Sequence, residues 1–235
     1  MAERPRPLVI AHRTCPEHAP ENSLLGIRRA AEQGADVVEV DVRLSVEGRP
    51  VLLHDRTLRR TTGTIGPPYL RREKSITARE IGEGEHVPTF AEALDALPSD
   101  LRMAIEIKVP RAVHPVLAAV VERDAQHRVL IWAHQPSVVR FVADRHPTIE
   151  ASLQTELRTG RSRRGLRAML TRCRAAGLST RIQAATPDLV EELRALGLRL
   201  YARCGESDLT APRLALLDGV VTDRPEAARA VIDAA

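Results

Sequence analysis

The chain has 235 residues, 43% of them hydrophobic but only 2% aromatic, so one sizeable core resting on Val, Leu, Ile and Ala is expected. The net charge of +4 and pI near 9.4 are dispersed along the chain. With so few rings to stack on bases, a nucleic-acid partner is not expected. No stretch approaches the length of a bilayer span, so stable membrane insertion is not expected either. Residues 1–7 are polar and Pro-broken, unlike a signal peptide, and a cytoplasmic location follows as an expectation. Cys15, Cys173 and Cys204 are odd in number and lack metal-ligand spacing, which suits free thiols in a reducing compartment. Lys74 and Lys108 are the only lysines in an Arg- and Ala-rich chain, a bias that suggests a GC-rich bacterial genome.

In chain order the pattern alternates strand and helix. An apolar run at 8–11 reads as a first strand, and Asn22 and Ser23 are placed to cap a helix that Gly34 ends. A second strand is expected at 37–44, with Gly48 turning the chain into a short run at 51–53. Residues 56–86 hold Gly63, Gly66, Pro67, Pro68, Gly82 and Gly84 and read as one irregular insertion over the barrel mouth. A helix from Pro88-Thr89 to 97 precedes a strand at 102–108, and a helix at 115–123 precedes a strand at 129–133. A helix from Pro136, a strand at 149–153, a helix at 165–176 and a strand at 181–184 continue the series. The last elements are a helix from Pro187 to Leu196, strands at 198–202 and 219–222, and a helix from Pro225. Eight strands with intervening helices predict an α/β fold, a single (β/α)8 TIM barrel spanning 1–235 with a small insertion after the second strand.

Three of these apolar runs end in ionisable residues: His12-Arg13, Glu39-Val40-Asp41 and Glu106-Ile107-Lys108. Burying charge without a partner costs several kcal/mol, so such ends are expected to converge on one site. Glu39 and Asp41 lie two apart and share a strand face, where with Glu106 they can chelate one hard cation. His12 and His54 can accept and donate protons near neutrality, and Arg13 and Lys108 can stabilise charge on a phosphorus centre. Taken singly, a His-Asp dipeptide or a Glu-x-Asp pair is ordinary strand-end or surface chemistry. Their joint placement at the ends of sequential strands points to phosphodiester cleavage. Cys15 has no paired base in the sequence and is not read as a nucleophile. The cluster Arg158, Arg161, Arg163, Arg164 and Arg167 reads first as a solvated helix start or loop, and second as a polyanion or phospholipid contact.

The ordered motifs His12-Arg13, Pro20-Glu21-Asn22-Ser23, 34–41 (GADVVEVD), Gly48-Arg49-Pro50-Val51, His54-Asp55, 60–63 (RTTG), Val87-Pro88-Thr89, Glu106-Ile107-Lys108 and 218–225 (DGVVTDRP) resemble the glycerophosphodiester phosphodiesterase family over nearly the whole chain. The resemblance implies a metal-dependent phosphodiesterase that hydrolyses glycerophosphodiesters to an alcohol and glycerol 3-phosphate. It implies Glu39, Asp41 and Glu106 as ligands of one divalent ion, His12 and His54 as the acid/base pair, and Arg13 and Lys108 as phosphate-binding cations. Glu21 matches a position that supports the metal site from a second layer. The oxygen donors favour Mg²⁺ or Ca²⁺, with Mn²⁺ also admitted, and the expected partner is a small-molecule phosphodiester.

Two departures bear on substrate choice. Thr14 stands where the family usually has Gly, which implies an altered loop or a hydroxyl facing the substrate. Tyr201-Ala202-Arg203-Cys204 stands where a Trp-Thr-Val-Asn strand is usual. Three alternatives stay open: a related lipid phosphodiesterase or phosphate lyase, a repurposed enzyme of specialised metabolism, and a non-catalytic phosphate-binding module. The sequence leaves open whether water or a neighbouring hydroxyl attacks, and does not fix the oligomeric state.

Overall fold

A computed structural model describes residues 6–157 and 163–235. Its elements run β1 (Leu8–Ala11), α1 (Leu24–Glu32), β2 (Val37–Leu44), β3 (Pro50–Leu52), α2 (Arg59–Thr62), α3 (Glu73–Thr77), β4 (Glu80–Gly82), β5 (Glu85–His86), α4 (Phe90–Asp95), β6 (Arg102–Ile107) and α5 (Val113–Glu122). They continue through β7 (Val129–Ala133), α6 (Pro136–Arg145), β8 (Glu150–Gln154), α7 (Arg163–Cys173), β9 (Gly177–Arg181), α8 (Pro187–Ala195), β10 (Arg199–Arg203), α9 (Ala211–Leu214), β11 (Gly219–Thr222) and α10 (Pro225–Asp233). Among the described residues, β1, β2 and β6 to β11 pair in parallel, and β1 closes the ring by bonding both β11 and β2. This is the expected (β/α)8 barrel. β3 is not a barrel strand. It doubles back antiparallel on the C-terminal end of β2, with Leu44 opposite Pro50 and Val42 opposite Leu52.

Strand alternation divides the apolar residues between two cores. On β2, Val38, Val40 and Val42 face the helices and join the large outer core. Val37 faces inward with Ile10, Ala104, Leu130, Trp132, Tyr201 and Val221, which form a compact plug inside the barrel. Trp132 and Tyr201 pack with ring centroids 5.2 Å apart. The Tyr201 hydroxyl donates to Glu150 Oε1 at 2.5 Å, and Arg199 binds the other Glu150 oxygen at 2.7 Å. The plug closes the barrel below the residues that follow it along each strand. Those residues (Glu39, Asp41, Glu106 and their neighbours) are therefore held at the C-terminal mouth.

The structure moves some boundaries. The strand expected at 181–184 is Gly177–Arg181, with 182–184 forming a 3₁₀ turn. Its Ser179-Thr180 centre hides it from an apolar-run search. Gly177 is required because a Cβ there would come within 2.8 Å of Ser152 Oγ and 2.9 Å of the Arg199 carbonyl. The preceding helix stops at Cys173 rather than 176. The insertion is less irregular than its glycines and prolines suggest, since it holds α2, α3 and the β4–β5 hairpin. The arginine cluster at 158–167 begins outside the described residues; within it Arg167 is exposed.

Ser23 caps α1, accepting from Gly26 N at 2.9 Å. Asn22 is not the cap: it lies in the left-handed region (φ 57°) and its side chain turns to Asp41. α1 packs so close to the preceding turn that a Cβ on Gly26 would sit 2.4 Å from both the Thr14 carbonyl oxygen and Thr14 Oγ1. Backbone cannot yield as a flexible side chain does. Gly26→Ala should therefore lower unfolding stability by about 1–3 kcal/mol, seen as a reduced urea midpoint with an unchanged slope.

Candidate active site

Asp41 and Glu106 are direct partners in the β2–β6 register, and Glu39 lies two residues before Asp41 on the same inward face. All three are buried, and oxygens from the three carboxylates fall within 4.8 Å of one another. Three anions this close repel one another. Burial, then Asp41 and Glu106, push the Glu39 carboxyl well above the usual carboxylate range. Burial also works against Asp41, but Lys108, His54, Asn22 and Arg13 together hold it below that range. Lys108 Nζ bridges the pair, 3.1 Å from Asp41 Oδ1 and 2.6 Å from Glu106 Oε1. Asn22 clamps Asp41 from both sides, donating from Nδ2 to Oδ2 and accepting from the Asp41 backbone N–H, each at 2.9 Å. Gln154 donates to Glu106 Oε2 at 3.1 Å, and His134 Nε2 lies 3.5 Å from Glu106 Oε1. Asp41 Oδ1 is buried with the Lys108 ion pair as its one partner and no aligned hydrogen bond. Its spare acceptor capacity and the all-oxygen donor set fit a hard divalent cation.

The turn after β1 carries Arg13 into the site at a cost in backbone strain. Arg13, Thr14 and Cys15 are consecutive left-handed residues, with φ of 46°, 64° and 79°. Each costs about 1–2 kcal/mol. The turn is held by Cys15 N–H to His12 O at 3.0 Å and by Asn22 N–H to Arg13 O at 2.8 Å. The Arg13 backbone N–H donates to Glu39 Oε2 at 2.8 Å, while its guanidinium Nε lies 3.6 Å from Asp41 Oδ2. Thr14 is fully buried, and its Oγ1 accepts from Ser23 N–H at 3.2 Å. Its hydroxyl therefore does not face the cleft, and Thr14 itself takes the left-handed conformation that glycine adopts most easily. Cys15 is buried as well, and burial with the Glu226 charge pushes its thiol up to about 12, so it remains a protonated thiol at neutral pH.

Each histidine is backed by a carboxylate. His12 Nδ1 lies 2.6 Å from Asp223 Oδ1, and His54 Nδ1 lies 2.8 Å from Asp55 Oδ1. Burial keeps the His12 ring below its ordinary value, against the opposing pull of the hydrogen bond it donates to Asp223. β3 returns the chain along β2 and so delivers His54 to the mouth, where Arg43 fixes the His54 carbonyl at 2.7 and 3.0 Å. Asp55 binds Arg60 through both oxygens (2.7 and 3.0 Å), and Arg60 also grips Glu21 (2.6 and 2.8 Å). Glu21 reaches Arg13 at 3.4 Å. Its support of the acidic cluster therefore runs through Arg13, and its other contact ties the insertion to the β1–α1 loop.

His12, Arg13, Glu39, His54, Glu106 and Lys108 line one cleft, with Asp41 beneath them. Asp223 and Asn22 join the site from outside the set that the sequence marks for it. Asp223 was findable by the rule that located His12, being a polar residue directly after an apolar strand, Val220-Val221-Thr222. Asn22 was hidden by its resemblance to a helix cap. Arg181, also in the cleft lining, carried no sequence signal of its own, while Arg203 lies in the 201–204 stretch that departs from the family's usual strand.

Fold and site together define a class: (β/α)8 barrels with a metal-competent carboxylate cluster at the C-terminal mouth. The chain belongs to the glycerophosphoryl diester phosphodiesterase family, which it matches over residues 12–227. It is 31% identical to the glycerophosphodiester phosphodiesterase of Caldanaerobacter subterraneus subsp. tengcongensis, over 93% of this chain and 95% of that one. It is 28% identical to the probable glycerophosphodiester phosphodiesterase 2 of Mycobacterium tuberculosis, over 91% and 85%. An Oleispira antarctica phosphodiesterase, solved with its product sn-glycerol-3-phosphate, superposes with a TM-score of 0.84 at 25% identity, covering 97% of each chain.

Because three buried carboxylates crowd one point, a bound cation should stabilise the fold. Mg²⁺ or Ca²⁺ added to chelator-treated protein should raise the unfolding free energy by about 2.7 kcal/mol at one hundred times Kd. The same addition to Glu106→Gln should do far less. Because burial and its carboxylate neighbours raise the Glu39 carboxyl, protons compete with the ion there, so affinity should strengthen as pH rises. Calorimetric titration in two buffers of different ionisation enthalpy reads the released protons directly.

Proposed function

We propose that the protein is a metal-dependent phosphodiesterase that hydrolyses glycerophosphodiesters to an alcohol and glycerol 3-phosphate. The observation that carries this reading is the convergence, in a chain of this family, of the carboxylate cluster, two cations and two carboxylate-backed histidines on one cleft. Glu39, Asp41 and Glu106 would hold one divalent ion, Mg²⁺ or Ca²⁺, with Mn²⁺ also suited to oxygen donors. When bound, that ion supplies Lewis-acid neutralisation of the phosphate's non-bridging oxygens. Arg13 and Lys108 add charge-assisted donors to the same oxygens.

Asp223 accepts from His12 Nδ1, which leaves Nε2 of the neutral ring without a proton. Burial keeps that ring neutral at pH 7. His12 is then the acceptor for the proton of the attacking oxygen, and His54, oriented by Asp55 and Arg60, returns a proton to the leaving alkoxide. One P–O bond forms as the other breaks, and the exchanged protons balance. The free and buried cysteines suit a cytoplasmic enzyme, and the Arg-rich composition a bacterial one.

A second reading, cleavage of lysophospholipids, draws on Ile65, Tyr69 and Leu70, which are 77%, 62% and 68% exposed. The turn that carries Tyr69 and Leu70 leads into Arg71, whose carbonyl accepts from Val46 N–H just beyond β2, on the same end of the barrel as the cleft.

The deciding assay offers glycerophosphocholine, glycerophosphoethanolamine and lysophosphatidylcholine and identifies the products. Glycerol 3-phosphate should form, stop on chelation, and return with Mg²⁺ or Ca²⁺. Release of a phosphorylated alcohol, or turnover confined to the lysolipid, would reject the main reading. His12→Ala and His54→Ala should each cut kcat by about 10² to 10⁴. Since His12 must be deprotonated to accept a proton, the acid limb of kcat/KM should lie below pH 6.5. Asp223→Asn removes the groups that hold the ring's pKa up and should move that limb lower still.

A further inference from the structure

Arg181 and Arg203 are the last residues of β9 and β10 and stand directly opposite one another in the strand register. Ser179 and Tyr201, two residues earlier, place them on the inward face, and both arginines line the cleft that holds His12, Arg13 and Lys108. Like charges directly opposite on paired strands are destabilising. The barrel order sets β9 four strands from β2, and β10 four strands from β6, so the arginine wall faces the carboxylate wall across the mouth.

Their existing partners leave both guanidiniums room for a further anion. Arg181 places Nε and Nη2 on a single oxygen of Glu156 (3.2 and 2.8 Å), and the Glu156 side chain is 60% exposed. An exposed pair of this kind holds its partner weakly. Arg203 Nη2 lies 3.6 Å from Asp223 Oδ2, while the other Asp223 oxygen is committed to His12. The reacting phosphodiester has one negative charge, and on the opposite wall Arg13, Lys108 and a divalent ion already outweigh the three carboxylates by about that much.

We propose that Arg181 and Arg203 bind a second anionic group, a phosphate or carboxylate, carried by the alcohol part of the substrate. The preferred substrate would then be a glycerophosphodiester whose leaving group is itself an anion. This inference rests on the phosphodiesterase reading above, because the glycerol 3-phosphate half brings no second anion of its own. Arginine suits the task, since its planar fork presents paired donors to a phosphate or carboxylate.

The test measures kcat/KM, from the diester consumed, for three diesters: glycerophosphocholine, glycerophosphoglycerol, and glycerophosphoglycerol bearing a terminal phosphate, whose cleavage releases two glycerol phosphates per turnover. The phosphorylated alcohol should be preferred over the neutral one by about tenfold or more, the scale of one charge-assisted hydrogen bond. The preference should shrink with added salt. Arg181→Gln and Arg203→Gln should each collapse the ratio toward one, and Arg181→Lys should keep part of it. Arg181→Glu should tip the preference toward the choline diester. Because Arg203 touches Asp223, its variant can slow every substrate, but a common effect cancels in the ratio. Turnover of all three diesters without an anionic preference, or a preference that survives both Gln variants, overturns the inference and leaves the phosphodiesterase reading standing. Turnover of none of them overturns both.

Discussion

The mutual repulsion of three buried carboxylates is the constraint on which the rest of the site depends. Glu39, Asp41 and Glu106 are brought together by an accident of register, Asp41 opposite Glu106, on strands that an apolar barrel holds rigid. Left alone, such a cluster would take up protons or open the mouth. The surrounding residues answer it with charge and with hydrogen bonds. Lys108 spans two of the three carboxylates, Asn22 clamps the most deeply buried one, and the Arg13 backbone caps the third. The aromatic and aliphatic plug beneath keeps water from entering from below, so these interactions act in a low dielectric where each is strong.

The β1–α1 turn shows how local strain is retained for the sake of that cluster. Three successive left-handed residues are unfavourable for any side chain but glycine, yet this path points the Arg13 N–H at Glu39 and its guanidinium toward Asp41. The strain is held by neighbours on both sides: Asn22 N–H fixes the Arg13 carbonyl, Ser23 N–H the Thr14 hydroxyl, and Gly26 leaves space for the Thr14 backbone. Thr14 is thus part of the scaffold. The far wall of the cleft is of another kind, since β9 and β10 both end there in arginine.

Two relays run outward from the cleft with the same logic. Asp223 holds His12, and Asp55 holds His54. Each carboxylate is shared with an arginine, Arg203 in one case and Arg60 in the other. A carboxylate divided between a ring and a guanidinium orients the imidazole while its own charge is partly answered. Arg60 adds a tertiary function, since through Glu21 it ties the insertion to the loop that carries Arg13.

The sequence by itself determined the barrel, because alternation of short apolar runs with capped helices is a local signal, and period and turn residues are visible without neighbours. It also marked Glu39, Asp41, Glu106, His12, His54, Arg13 and Lys108, because an ionisable residue at the end of an apolar run is anomalous wherever it occurs. It misplaced β9, whose Ser-Thr centre breaks the apolar run, and it read Asn22 as a cap because a side-chain oxygen's choice between two backbone N–H donors is not local. Only the tertiary structure decided that Thr14 is buried, that Asp223 meets His12 from 211 residues away, and that Arg181 and Arg203 share a wall. Those facts depend on strand register and barrel closure, which arise from the packing of the whole ring.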